Sequence, residues 1–455
     1  MDNSSLDWHR LRPLEGSLPK AFEELCAQLA ASETENIPPG SRFERKGSPD
    51  AGIECYWEAP SGDIIAWQAK FFRETPTAGQ WKDLDKSFAK ALEKHRQLTR
   101  YIICLPIDRP DPKIEGAQSF MDRWKTHVEK WKQRARQTGR QVDFEYWGQS
   151  ELLKRLALEK HHGRHLFWFS RELFTTEWFK NRLDIAIADA GPRYFPTINV
   201  DLPVRECFRG LGRTPDLYDH MDRRRGEIRR ALNDFRYSKL EGEHGDLFEK
   251  LRNAVVHIGD DLALVQTSPP APIPISGLKA LTQEALRTLG EIGRATRDNT
   301  KSSATVTDTG RSSDSDLHYL YKLKDVLEDL YDWLNSSDAL LANVPALLLV
   351  GDAGVGKTHL LCDVARKREA LSQPSILLLG QQFLVDEPWT QCLTFLGLSC
   401  SVDILLGALN SVGQSRGVRV LFLIDALNEG EGVNIWNKHL AGMLARIAAY
   451  LSRAE

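Results

Sequence analysis

The fold is decided at one stretch, Gly47-Ser-Pro-Asp50-Ala-Gly52-Ile-Glu54-Cys-Tyr-Trp57, and at the apolar run that follows it, Ile64-Ile-Ala-Trp-Gln68-Ala-Lys70. Residues 53–58 and 64–70 are both typical of β-strands, and the five residues between them contain the Pro and Gly of a hairpin connection. If Glu58 faces Ile64 in an antiparallel pair, Glu54 faces Gln68. Lys70 joins them because alternate residues of a strand point the same way. The hairpin is therefore predicted to gather an acid, an amide and a lysine on one face.

This combination of side chains suits a divalent metal ion that activates water for attack on a phosphodiester, with the lysine offsetting negative charge. Asp50 precedes Glu54 by four residues and would lie about 13 Å away on an extended strand. Geometry therefore favours Glu54 as the metal ligand. A one-residue slip in register would turn all of these side chains to the other face. The alternative interpretation is an ordinary surface hairpin whose Glu, Gln and Lys face water.

Length and composition indicate a soluble protein of several domains. A chain of 455 residues is too long for one core and predicts two to four domains. The formal net charge of -3 gives no overall attraction to nucleic acid, so a DNA-binding surface must be local. Seven cysteines without a Cys-x-x-Cys pair argue against a disulfide framework and indicate a reducing, cytoplasmic location. The sequence has neither a signal peptide nor an apolar run of membrane-spanning length, so we expect no membrane role.

The first 170 residues show an alternation of helix and strand patterns. Apolar periodicity predicts the order α-β-β-β-α-β and then a further α-β, with helices at residues 18–31, 78–98 and 118–138, and strands at residues 42–46, 53–58, 64–70, 101–105 and 142–146. This order, together with the D-x-G-I-E and Q-A-K residues of the hairpin, resembles the Mrr-like branch of the PD-(D/E)xK nucleases. The resemblance implies a restriction-endonuclease-like domain over residues 1–170.

The same resemblance implies roles for individual side chains. Glu54 and Gln68 would bind Mg²⁺, Lys70 would complete the catalytic set, and Glu24 or Glu23 would take the acidic position on the first helix. Some relatives place the acid directly after Ser-Pro, which keeps Asp50 as an alternative ligand. The sequence departs from the commonest pattern in two places, with Glu54 where Asp is usual and Gln68 where Glu is usual. Gln68 can ligate through its carbonyl oxygen but brings no charge.

The middle of the chain, residues 171–315, is predicted to be a helical spacer. Helical patterns cover residues 177–190, 217–240, 246–258 and 278–296, and the Gly and Pro residues at 191–196 interrupt them. Residues 298–316 are dominated by Ser, Thr, Asp and Asn, a composition typical of a flexible linker. We find no chemistry in this region.

A phosphate-binding loop begins the last region, residues 316–455. An apolar run at residues 345–350 predicts a buried strand, and Gly351-Asp-Ala-Gly354-Val-Gly356-Lys357-Thr358 follows it before a helical segment. This is a complete G-x-x-x-x-G-K-T in its strand-loop-helix context. The glycines let backbone N–H groups surround the phosphates of ATP, Lys357 reaches the β- and γ-phosphates, and Thr358 ligates Mg²⁺.

Further strands are predicted at residues 376–379 and 418–424, the second running into Asp425-Ala-Leu-Asn-Glu429. Asp425 fits an acid that holds Mg²⁺ at the end of a buried strand, and Glu429 is the candidate to orient an attacking water. The D-A-L-N-E segment resembles the STAND class of signalling NTPases, with Asn428 where an acid is usual. The resemblance implies that the last region is the N-terminal part of such an NTPase domain, and we expect no efficient ATP turnover from it.

A nuclease-like region, a helical spacer and a STAND-like region in this order resemble the Avs-type antiviral STAND proteins. The resemblance implies an α/β multidomain endonuclease that degrades double-stranded DNA in phage defence. A region absent from this sequence would sense a phage protein, and homo-oligomers would form with ATP bound. Two alternatives remain: a restriction endonuclease subunit coupled to an NTPase motor, and a catalytically dead nuclease fold used as a DNA-binding scaffold.

Overall fold

The structure is a computed structural model of the chain. It describes residues 7–46, 51–108, 119–197, 204–235, 245–267, 272–302, 310–429 and 432–454. The architecture is mixed α/β, with a five-stranded sheet and a separate two-stranded sheet. Most of the helices and strands that the sequence predicts are confirmed within one to four residues at each end.

The five-stranded sheet belongs to the first part of the chain. Its strands lie in the order β1-β2-β3-β4-β5. β2 pairs antiparallel with both of its neighbours, β1 and β3, and β4 pairs parallel with both β3 and β5. The strands are β1 (Arg42–Arg45), β2 (Cys55–Glu58), β3 (Ile64–Ala69), β4 (Leu98–Cys104) and β5 (Asp143–Trp147). The order α-β-β-β-α-β is thus confirmed.

Helices cover both faces of this sheet, which is why β3 is buried along its whole length. The helices of this part are α1 (Leu18–Ala31), α2 (Ala78–Lys94), α3 (Phe120–Gln137), α4 (Gln149–Leu156) and α5 (His162–Phe169). Apolar side chains of α1, α4 and α5 pack with Cys55, Trp67 and Ile102 on one face. Those of α2 and α3 pack with Tyr56, Ala66 and Tyr101 on the other.

The register of the hairpin is the one that the sequence predicts. Glu58 pairs with Ile64 and Cys55 with Trp67, and the Glu54 N–H donates to the Trp67 carbonyl at 2.9 Å. Gly62 in the connection has a φ of +86°, a backbone conformation that favours glycine. The polar residues at the open end of the hairpin are therefore brought together.

The middle of the chain begins with α6 (Thr176–Ala190) and α7 (Val204–Leu211), and a helical bundle with its own core follows. The bundle helices are α8 (Pro215–Phe235), α9 (Gly245–Thr267), α10 (Ile275–Ser302) and α11 (Gly310–Leu334), and the short α12 (Ser337–Leu341) follows them. Residues 298–302 and 310–316, for which the sequence predicts a linker, lie in α10 and α11. Among the described residues, none of the helices combines the length and apolarity needed to cross a membrane.

The last part of the chain holds the two-stranded sheet. β6 (Ser375–Leu379) and β7 (Leu421–Asp425) pair in parallel, and both overlap strands that the sequence predicts. The helices here are α13 (Lys357–Ala370), α14 (Pro388–Leu396), α15 (Val402–Arg416) and α16 (Gly432–Ala454). Although the sequence assigns α6 to the spacer, α6 packs its apolar side against β6 and α13.

The strand predicted at residues 345–350 does not form. These residues have no regular secondary structure, and Leu348 and Val350 are 65% and 86% exposed. A strand needs a neighbouring strand to satisfy its backbone groups. β7 pairs with β6, and residues 345–350 line a cavity of about 750 Å³ together with β7 instead of pairing with it. Apolar composition predicted a buried strand, but this segment has no strand partner among the described residues.

A helix crossing joins the two sheets into one hydrophobic core. α5 packs on α15 at Gly163 and Gly407, and apolar residues of both sheets belong to the same cluster. A Cβ at Gly163 would lie 2.5 Å from backbone atoms of Ile404, Gly407 and Ala408. Only glycine allows such a close approach of two helix backbones.

Gly163→Ala is accordingly expected to destabilise the protein by about 1–3 kcal/mol, because overpacking forces the backbones apart. Gly290→Ala is the matched control, since Gly290 also lies inside a helix but has open space around its Cβ position. That control should gain up to about 1 kcal/mol from helix propensity. The midpoints of denaturant unfolding measure the stability change in each variant. Equal midpoints for Gly163→Ala and the wild type would contradict the close crossing.

Candidate functional site

Glu54, Gln68 and Lys70 converge at the open end of the β2–β3 hairpin. The Gln68 Nε2 donates to the Glu54 Oε1 at 2.6 Å, and the Lys70 Nζ lies 3.4 Å from the same oxygen. Gln68 is fully buried, whereas Glu54 and Lys70 are partly exposed. One buried amide, one carboxylate and one cation thus form a polar cluster that solvent can reach.

The side-chain amide of Gln68 presents a buried carbonyl oxygen. Its Oε1 is buried and has no hydrogen-bond partner within the part of the chain that the structure describes. An unpartnered buried carbonyl oxygen costs free energy unless a ligand satisfies it. Because Mg²⁺ prefers oxygen ligands, the Gln68 oxygen and the Glu54 carboxylate fit a divalent cation.

The neighbouring side chains limit what else could bind such a cation. No group of three or more His, Cys, Asp or Glu residues in the described ranges could hold a metal ion. Cys55, next to Glu54 in sequence, is fully buried, and burial raises the pKa of its thiol well above the ordinary value. The free thiol therefore stays protonated, and Cys55 packs in the apolar cluster with Trp67. Any cation here would depend on carboxylate, amide and water oxygens.

The first helix brings two acids toward this cluster, and they differ in their partners. The Lys70 Nζ lies 3.9 Å from the Glu23 Oε1. Glu24, one of the two acids that the sequence offers for this position, is buried and forms an ion pair with Arg45 of β1. It also accepts from the Gln28 Nε2 at 2.7 Å. Glu23 thus lies beside Lys70, whereas Glu24 pairs with Arg45. Asp50, the alternative ligand, lies outside the described residues.

Arg45 is the residue of this neighbourhood that the sequence analysis missed. Burial alone would lower the pKa of the guanidinium, but the Glu24 carboxylate more than offsets this and raises the pKa above its ordinary value. The Arg45 guanidinium therefore stays charged in a buried position because the Glu24 carboxylate is its partner. The alternation of side chains on β1 could have shown that Arg45 points inward, but it could not have identified Glu24 as its partner.

Arg45→Leu should lower the free energy of unfolding by about 3–5 kcal/mol, because it leaves the Glu24 carboxylate buried without its cation. The double variant Glu24→Leu/Arg45→Leu should recover most of this loss, since no charge remains buried. Chemical denaturation of the single and double variants measures the difference. Lys20→Ala, which breaks an exposed ion pair between α1 and Glu15 in the segment before it, serves as the control and should shift the midpoint little. A double variant as unstable as the single one would contradict this interpretation.

The glycine-rich loop lies at the start of α13. Gly354 and Gly356 have φ values of +81° and +88°, in the left-handed region, and Gly351 begins the loop. The Lys357 Nζ donates to the Gly351 and Asp352 carbonyl oxygens at 2.6 and 2.8 Å. Thr358, the second residue of α13, is partly exposed. The loop therefore presents a helix N-terminus and a lysine on its open side, a geometry suited to phosphate.

Two acids follow β7 on the other side of this loop. Asp425 ends the strand; its side chain is 4% exposed, and its Oδ2 finds no hydrogen-bond partner among the described residues. Glu429 is exposed and lies 3.3 Å from the Arg193 guanidinium. The 750 Å³ cavity has Lys357 and Asp425 in its lining, so the loop lysine and the strand acid border the same space. An unpartnered buried carboxylate beside a phosphate-type loop fits a magnesium–nucleotide complex.

Contacts connect the two clusters. Gln28, which holds Glu24, also donates to the Ser411 carbonyl of α15 at 3.2 Å and accepts from the Trp168 indole of α5 at 3.1 Å. One amide thus links the helix beside Lys70 to the helices of the last region. The sequence shows no sign of this link, because the residues are more than 100 positions apart.

Comparison with known proteins gives no family assignment. No protein-family model matches the chain, and no curated protein matches it significantly. The functional argument therefore rests on the residues and their geometry.

Proposed function

We propose that the protein is a divalent-metal-dependent DNA endonuclease whose active site is controlled by an ATP-binding module. The observation that carries this proposal is the cluster of Glu54, Gln68 and Lys70. Beside its carboxylate and lysine, a buried amide oxygen has no hydrogen-bond partner within the described ranges. The order of the strands and helices and the register of the hairpin support the resemblance to the Mrr-like PD-(D/E)xK nucleases.

Each side chain has a task in phosphodiester hydrolysis. A bound Mg²⁺ would polarise the phosphate and lower the pKa of the attacking water. The Glu54 carboxylate and the Gln68 carbonyl would hold the ion, and the Lys70 ammonium, 3.4 Å from Glu54, would stabilise negative charge on the phosphate. Glu23 lies close enough to Lys70 to orient the ammonium. In the present structure Gln68 turns its N–H toward Glu54, so ion binding requires the amide to rotate and present its oxygen.

The last region supplies the proposed control. The G-x-x-x-x-G-K-T loop, Thr358 and Asp425 suit ATP and its Mg²⁺, and Glu429 is the candidate to orient a water. The α5–α15 crossing and Gln28 connect this region physically to helix α1. The resemblance to Avs-type STAND proteins extends the proposal to cytoplasmic phage defence. A sensed phage protein and assembly with further copies of the chain would then activate cleavage of double-stranded DNA.

Cleavage of supercoiled plasmid in Mg²⁺ and ATP tests the proposal. Wild-type protein is expected to nick the plasmid at a slow basal rate, which a sensed phage protein would raise, and chelation of the metal should stop the nicking. Glu54→Gln removes the carboxylate charge and Lys70→Ala the ammonium, so each should slow cleavage by about 100-fold or more. Lys94→Ala, which removes an exposed lysine from α2, is the matched control and should cleave like the wild type.

DNA binding, measured in parallel on the same variants, separates the alternatives. Glu54→Gln should retain DNA binding while it loses cleavage. Equal cleavage by the wild type, Glu54→Gln and Lys70→Ala would contradict the assigned site. A wild-type protein that binds DNA but never cleaves it, in any nucleotide or divalent metal ion, would favour the scaffold interpretation.

A further inference from the structure

The segment that follows α6 lies against the phosphate-binding loop. Tyr194 packs its ring on His359 with 5.2 Å between ring centroids, and the Phe195 N–H donates to the His359 Nδ1 at 3.4 Å. His359 directly follows Thr358 in the first turn of α13. Residues 193–195, which the sequence analysis regarded only as a break between helices, therefore border the candidate nucleotide site.

Arg193 carries the positive charge of this segment. Its Nε donates to the Ala190 carbonyl at 3.2 Å, which anchors the side chain at the end of α6, and its Nη1 lies 3.3 Å from the Glu429 Oε2. Both partners of this ion pair are partly exposed, with side-chain exposures of 29% and 48%. An exposed pair of this kind contributes little to stability and can be exchanged.

The position of Arg193 places it on the magnesium side of the loop. Its partner Glu429 follows Asp425 by four residues, and the Glu429 N–H donates to the Ala426 carbonyl at 3.1 Å in a turn directly after Asp425. Arg193 therefore meets the chain just beyond the acid that ends β7. In P-loop proteins the acid at the strand end holds the magnesium that bridges the β- and γ-phosphates, so the terminal phosphate lies on this side.

We propose that Arg193 binds the terminal phosphate of a nucleoside triphosphate, exchanging Glu429 for that phosphate. This inference rests on the nucleotide-binding part of the proposed function. A guanidinium forms two parallel hydrogen bonds with phosphate oxygens and is suited to this exchange. A diphosphate has no group at that position, so Arg193 distinguishes ATP from ADP and releases Glu429 only when ATP is bound.

Helix α6 gives this contact a consequence elsewhere in the molecule. The helix is about 22 Å long, and Trp178 and Phe179 in its first turn belong to the core shared with the nuclease-like sheet. It ends three residues before Arg193. Two polar contacts tie its second half to the nucleotide region: Asp184 with Arg366 at 2.6 Å and Asp189 with Gln382 at 2.7 Å. A phosphate contact at Arg193 therefore acts on the end of a helix that reaches the nuclease-like core.

Equilibrium binding of a non-hydrolysable ATP analogue and of ADP, both with Mg²⁺, tests the proposal on the full chain. Arg193→Ala should weaken binding of the ATP analogue by at least about tenfold, since hydrogen bonds between charged groups contribute that much. The affinity of the variant for ADP should change by less than about threefold, because ADP has no terminal phosphate for Arg193 to contact. The affinity of Arg193→Lys for the ATP analogue should lie between those of the wild type and Arg193→Ala. Lysine keeps the positive charge but cannot form two parallel hydrogen bonds with the phosphate.

Glu429→Gln is expected to change the affinity for the ATP analogue in the opposite direction from Arg193→Ala. It removes the carboxylate that competes for Arg193 and should tighten binding of the ATP analogue, whereas loss of a merely structural ion pair would shift both variants in the same direction. Arg366→Ala is the matched control, because it also removes an arginine from an ion pair. Arg366 lies on α13, nine residues after Lys357, and pairs with Asp184 of α6. This control should leave the ratio of ATP to ADP affinity unchanged.

The outcomes separate this inference from the proposed function. If the wild type binds neither nucleotide, the proposed nucleotide site fails and the role of Arg193 fails with it. If the wild type binds both and Arg193→Ala changes both affinities equally, or neither, the nucleotide site stands and the phosphate contact is overturned. Thermal melting of Arg193→Ala and Arg193→Lys verifies that both variants are folded.

Discussion

The pairing of β2 with β3 is the constraint on which the candidate nuclease site depends. A slip of one residue would move Glu54 and Gln68 to opposite faces of the sheet. The observed pairs, Cys55 with Trp67 and Glu58 with Ile64, exclude such a slip. Burial of β3 between two layers of helices maintains the register, because its apolar side chains fill both faces. The sheet therefore holds a fully buried amide at a place where its oxygen has no hydrogen-bond partner among the residues that the structure describes.

The part of the chain that contains the five-stranded sheet and the part that contains the glycine-rich loop share one core. Gly163 and Gly407 allow α5 and α15 to touch at the backbone, and the apolar residues of the two sheets form one cluster. Gln28 adds a polar link, since its amide contacts Glu24, Ser411 and Trp168. A change in the nucleotide region can therefore reach helix α1, whose Glu23 lies beside Lys70. Shared packing of this kind favours regulation of one site by the other over two independent activities.

Local patterns predicted much of this structure, and long-range contacts account for the rest. Turn residues and strand alternation were enough to predict the hairpin register and the convergence of Glu54, Gln68 and Lys70. The same reasoning could not choose between Glu23 and Glu24, because neighbouring helix positions differ only in the partner that each one meets. The strand predicted at residues 345–350 was wrong for a related reason: apolarity shows that a segment can pair but not whether a neighbouring strand is present. Arg193 was missed because nothing local marks an arginine that meets Glu429, 236 residues later.

The central claim is that Glu54 and Gln68 together bind a divalent cation. Anomalous diffraction from crystals of the protein soaked in Mn²⁺ tests it most directly, since manganese takes the same oxygen ligands as magnesium. The account predicts a peak about 2 Å from both a Glu54 carboxylate oxygen and the Gln68 Oε1, with the amide rotated away from its present hydrogen bond. The same experiment on Glu54→Gln should show no peak there. A Gln68 amide that still donates to Glu54, with no manganese beside it, would contradict the account.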